Sequence, residues 1–66
     1  EVGVLMTKVS ENMTRVSLRS KGHLDVAAIA TEFGGGGHRR AAGIKSSLDF
    51  STLQQQLLVA IGKCLS

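Results

Sequence analysis

The chain holds a single cysteine, Cys64, among 66 residues. It can form no internal disulfide, and one thiol excludes a zinc ribbon or finger, which needs several clustered ligands. A lone cysteine fits a reduced, cytoplasmic setting. Long apolar runs are missing as well. No stretch approaches a membrane span, so no membrane partner is expected. There is no signal-peptide pattern. The chain begins at Glu1 rather than Met and reads as a piece excised from a longer protein. Acidic residues are scarce. Five Asp and Glu face eight Lys and Arg, for a net charge of +3 and a pI near 9.6. That mild excess suits an anionic ligand such as phosphate or nucleic acid, and it also suits an ordinary surface.

What is present is enough for one small core. An apolar fraction of 42% is globular rather than disordered. Sixty-six residues make one domain, residues 1–66, and a domain this short is marginally stable alone.

Residues 2–10, VGVLMTKVS, are rich in β-branched and apolar types. Residues 13–20, MTRVSLRS, alternate. The two read as strands of a hairpin turning at Glu11-Asn12. Period-two geometry puts Arg15, Ser17 and Arg19 on one face and Thr14, Val16, Leu18 and Ser20 on the other. Lys21-Gly22-His23 reads as the turn that follows. In DVAAIATEF the residues Val26, Ile29, Ala30 and Phe33 recur at i, i+3, i+4 and i+7, one stripe of a short helix. Asp25 stands where it can cap that helix, and Gly34 where it can end it. A third strand is expected over residues 41–47. Ser51-Thr-Leu-Gln54 matches a capping box, with Asp49 competing for the same role. Phe50, Leu53, Leu57, Ile61 and Leu65 then mark a long amphipathic helix, with Cys64 expected near its buried face. The order predicts an α/β (α+β) fold: a small two-layer domain, a β-hairpin plus a further strand in one sheet, covered by two helices.

The stretch FGGGGHRRAAG, residues 33–43, stands out. Four consecutive glycines are costly to order. A flexible linker would not continue at once into His38, Arg39, Arg40, Ala41, Ala42 and Gly43. A P-loop is excluded, because no Gly-Lys-Ser/Thr follows at the required spacing. The dinucleotide fingerprint fails too, since it would need glycine at position 39 or 40. The remaining reading is an anion-binding loop in which the amides of Gly34 to Gly37 converge on a phosphate. His38, Arg39 and Arg40 would add charge-assisted donors. A structural turn is the competing reading.

With SLRSKG and DVAAIATEFG before it, this motif resembles the C-terminal DHH-associated domain of the DHH phosphoesterases. It is most similar to the RecJ-like branch with the bacterial oligoribonuclease/3′-phosphoadenosine-phosphate phosphatase (NrnA type) and related cyclic-dinucleotide phosphodiesterases. The likeness runs from the strand at Met13 to the chain's end. It implies a hydrolase in which an N-terminal domain carries Asp-His-His and two Mn²⁺ ions, while this small domain grips short RNA, DNA or a nucleotide phosphate. It implies substrate contacts at Arg19 and Ser20, and at Gly35, Gly36, Gly37 and His38; Arg39 and Arg40 are read from their own charge as electrostatic support. No Asp-His-His occurs here, and Glu1, Glu11, Asp25, Glu32 and Asp49 are scattered. This chain is therefore expected to bind, and the DHH domain to cleave. The alanyl-tRNA synthetases end in a related glycine-rich domain that engages tRNA, without the His-x-x-Ala-Ala-Gly continuation. An RNA-binding appendage of that type, or a non-catalytic dimerisation module pairing with a second copy, are the alternatives.

For each residue a plainer role competes. Arg19 alone would be a solvated arginine, and His38 could merely bond its own tight loop. His23 is read as a turn residue, Met6 and Met13 as packing. Cys64 is read as a small buried apolar residue and not a nucleophile, since no partner base is identifiable.

Overall fold

The computed structural model describes residues 2–65, the last of them by its backbone alone. Its elements are β1 (Val2–Ser10), β2 (Met13–Ser20), α1 (Val26–Glu32), β3 (Gly36–His38), β4 (Ala41–Ser46) and α2 (Phe50–Leu65). The strands form one antiparallel sheet in the order β1-β2-β4-β3. The expected two-layer α+β domain is present, with one strand more than predicted.

Alternation in β2 decides which face of the sheet is covered. Val16 and Leu18 are fully buried, and Thr14 and Ser20 nearly so. Arg15 and Arg19 point to the other side and are exposed. The cross-strand partner of Val16 on β4 is Ile44, also buried. On this face α1 sets Val26, Ile29 and Ala30, and α2 sets Leu53, Leu57 and Ala60, into one core. Both helices cover the same face because their apolar stripes have nowhere else to be buried. Each large side chain fully removed from water contributes roughly 1.5–3 kcal/mol, and seven of them carry this small domain. Among the described residues no helix is long and apolar enough to cross a membrane.

The local signals mostly act as their chemistry predicts. Asp25 caps α1, its Oδ1 accepting from the amides of Ala27 at 3.0 Å and Ala28 at 3.2 Å. Past the other end, Gly34 adopts φ 82°, and the amides of Gly34 and Gly35 donate to Thr31 and Ala30. That is the glycine-terminated helix end of the Schellman type. The β1–β2 hairpin turns at Glu11–Asn12, with a register irregularity between Lys8 and Ser10.

Three expectations are corrected. The glycine run is not simply a loop: Gly36–His38 forms the edge strand β3, joined to β4 by a turn at Arg39–Arg40. Glycine is a poor strand former, so local sequence hides this strand. The second helix begins at Phe50, which puts Asp49 and not Ser51 before its first turn. The amide of Leu53 donates to the Asp49 carbonyl at 2.9 Å, and Ser51 lies inside the helix. Cys64 is exposed. Burial along α2 ends at Ala60 and the half-buried Ile61, so the last turn runs past the core. The Leu65 end of the predicted stripe lies outside the described side chains.

Candidate phosphate-binding face

The uncovered face of the sheet is built by the register of its strands. Residues paired across antiparallel strands share a face. One row therefore runs Gly3, Arg19, Ala41, His38 across the four strands. The next runs Leu5, Ser17, Gly43, Gly36. The third runs Thr7, Arg15, Lys45, where β3 has ended. No carboxylate occupies any of these positions. Arg15, Arg19 and Lys45 on the face, with Arg39 and Arg40 in the turn at its end, make five of the chain's eight Lys and Arg.

A shallow trough crosses this face between the basic groups. One hollow is lined by Ser17, Arg19, Gly36, Gly37, Ala41 and Gly43. A second, of about 410 Å³, adjoins it at Ser17 and Gly43 and reaches Arg15, Gly34, Gly35 and Lys45. That volume lies within the range of small-molecule sites, roughly 300–1,000 Å³. The floor is backbone and small side chains, while the ends carry the charge. A different hollow, between the end of α1 and α2, includes Glu32 and Lys63 and concentrates neither sign of charge.

The four glycines have separable roles. A β-carbon on Gly35 would collide with the carbonyl oxygen of Gly43. One on Gly37 would sit 2.7 Å from the Cα of Ala42, and Gly37 has φ 144°. Gly34 needs its positive φ to end α1. Gly36 is different: its backbone is ordinary and a β-carbon there would meet open space. Nothing in the fold requires glycine at 36, and its missing side chain keeps the trough open at the edge strand.

The predicted nest of converging amides is not formed. The amides of Gly34 and Gly35 are spent on the carbonyls that end α1, and Gly36 and Gly37 lie extended in the edge strand β3, whose successive amides point in opposite directions and so cannot converge. The amino end of α1 is equally occupied: the Val26 amide donates to the Arg39 carbonyl at 2.9 Å, and Asp25 takes the next two amides. Positive charge on this face therefore comes from side chains.

Of the residues singled out in the sequence, Arg19, Gly36 and His38 come together on the open face. His38 is exposed, and its Nδ1 accepts from the Arg40 amide at 3.4 Å, which leaves Nε2 for a ligand. Gly35 and Gly37 line the two hollows with their backbone, and each is held tightly against β4. Arg39 and Arg40 are exposed, and their turn is pinned by two long-range bonds, from Val26 to the Arg39 carbonyl and from Ser20 to that of Arg40. Ser20 is not brought to the trough. It faces the core at 6% exposure, and its Oγ accepts from the Gly22 amide at 3.3 Å. Adjacency in a strand sends neighbouring side chains to opposite faces, so Arg19 and Ser20 cannot share one. Arg15, Ser17, Gly43 and Lys45 join the face without having been singled out as site residues. Counting by twos from Arg19 and from Gly43 reaches three of them. Among the described residues, no group of three or more His, Cys, Asp or Glu could hold a metal ion.

An accessory domain found in DHH-family phosphoesterases, normally beside an N-terminal DHH domain in the same chain, matches this sequence almost end to end. The match is to the DHHA1 domain model over residues 1–65, and the chain belongs to the DHHA1 family.

Proposed function

We propose that the open sheet face holds the phosphate-bearing part of a short oligoribonucleotide or small nucleotide phosphate, for hydrolysis by a Mn²⁺-dependent DHH domain. The chemistry of bond cleavage belongs to that domain, which supplies metal-activated water. This domain supplies grip and position. Arg19 donates charge-assisted hydrogen bonds to phosphate oxygens. His38 contributes a donor at Nε2 beside it. Gly36 and Gly43 let a sugar or base lie close to the backbone. Arg39 and Arg40 raise the local positive potential and so favour anionic encounters. A reduced, cytoplasmic compartment suits such a substrate.

The observation that carries the reading is Gly36. A glycine that the fold does not need lies in the floor of a trough whose charged groups are all basic. The test is steady-state hydrolysis of a short oligoribonucleotide by the protein that carries this domain. Arg19→Ala and His38→Ala are each expected to lower kcat/KM by roughly 1–3 kcal/mol equivalent, with metal binding unchanged. Unaltered kinetics in both variants would remove the assignment.

A further inference from the structure

Arg15 and Lys45 are direct cross-strand partners in the β2–β4 ladder. Both are exposed, and both point to the open face. Like charges placed directly opposite destabilise a sheet. No carboxylate on the strand positions of that face offsets them. Such a local conflict persists where something outside the fold makes use of it. The pair also stands at the far end of the trough. The hollow they line with Gly34 and Gly35 shares Ser17 and Gly43 with the hollow at Arg19. Arg15 and Arg19 are four residues apart on one strand, a separation of ~13 Å. One phosphate cannot touch both ends. At ~3.4 Å per stacked nucleotide the gap matches about four steps of a single strand, and fewer when the strand is extended.

We propose that Arg15 and Lys45 form a second, distal phosphate subsite, so that the trough takes a single-stranded oligonucleotide along β2 with different phosphates at its two ends. The inference rests on the reading of the Arg19–His38 end given above, and extends it from a grip on one phosphate to a length-selective one. Arg15 and Lys45 bracket one phosphate from neighbouring strands, and the anion relieves their mutual repulsion. Phosphate contacts of this kind carry no base preference. The chain length of the ligand, rather than its sequence, is what they read.

The probes are a 5′-phosphorylated diadenylate and the corresponding hexaadenylate, bound to the protein that carries this domain. Three variants are compared: Lys45→Glu, the double variant Arg15→Gln/Lys45→Gln, and Arg19→Gln. Lys45→Glu replaces a repulsive pair with an attractive one, so its Tm should match or exceed that of the parent. Its affinity for the hexamer should nevertheless fall by about tenfold or more, while the dimer binds as before. The double glutamine variant should lose hexamer affinity in the same way. Its dependence of log K on log salt should be shallower by ~0.7, the share of the one phosphate contact that disappears. Unchanged hexamer affinity, or an equal loss for dimer and hexamer, would overturn the distal subsite. Arg19→Gln separates the two readings, since a loss of dimer affinity there sustains the proximal site whatever becomes of the distal one. A parent protein that binds neither probe overturns both.

Discussion

Gly35 lies so close against the carbonyl oxygen of Gly43 that no β-carbon fits between them. Gly36, the next residue, faces open space. One run of glycine thus contains a residue demanded by packing beside one that packing ignores. The tight contact lets the chain leave α1 and enter the sheet edge across only three residues, Phe33 to Gly35. The loose one leaves a floor without side chains on the basic face.

Gly35→Ala and Gly36→Ala should therefore separate stability from binding. Gly35→Ala is expected to cost on the order of 1–3 kcal/mol or more, because the clash is with backbone that cannot rotate away. Thermal melting reads this as a Tm lower by several degrees, at about 4–8 °C per kcal/mol for a domain of this size. Gly36→Ala should change stability by no more than about 0.5 kcal/mol and should weaken oligonucleotide binding. Equal destabilisation by both would show that the run is uniformly structural.

Asp25 accounts for two amides at the start of α1. Asp25→Ala leaves both without that acceptor and should cost about 1 kcal/mol. Asp25→Asn or Asp25→Ser should recover most of the loss, since both side chains can accept the same bonds. Chemical denaturation with an unchanged m-value is the appropriate readout. The turn at Arg39–Arg40 is bonded to the same helix start through Val26. Hydrogen exchange at the Val26 amide should consequently quicken in Asp25→Ala.

Cys64 is exposed near the end of α2. It should react with iodoacetamide in the native protein at a rate close to that of an unstructured thiol peptide. Its modification should leave the Tm in place, because burial in α2 stops before it. Protection that is lifted only by denaturant would mean that α2 packs through its last turn.

Local pattern made part of this domain legible. Alternation in MTRVSLRS assigned the two faces of β2 because strand geometry repeats every two residues, whatever lies nearby. The stripe Val26, Ile29, Ala30 and Phe33 made α1 recognisable, and Asp25 and Gly34 marked its ends through bonds that span only a few residues. The motif His-x-x-Ala-Ala-Gly led to the right family. What local pattern could not reveal was partnership at a distance. Glycine carries no periodic signal, so β3 exists only because β4 is there to pair with it. Ser20 entered as a companion of Arg19 through the resemblance, although alternation had already set it on the opposite face, the one the core covers.

Residue types and their short spacings determined by themselves which segments other than β3 are helical or extended, which side of β2 is apolar, and that the glycine run is more than slack. Tertiary structure alone decided where that run goes. It also set Arg15 against Lys45, thirty residues away in the chain, and placed His38 in one row with Arg19. The reason is physical: helix stripes and strand alternation are fixed by bonds between near neighbours. Which strands pair, and in what register, is fixed by burying one shared core, and every residue of the chain contributes to that choice.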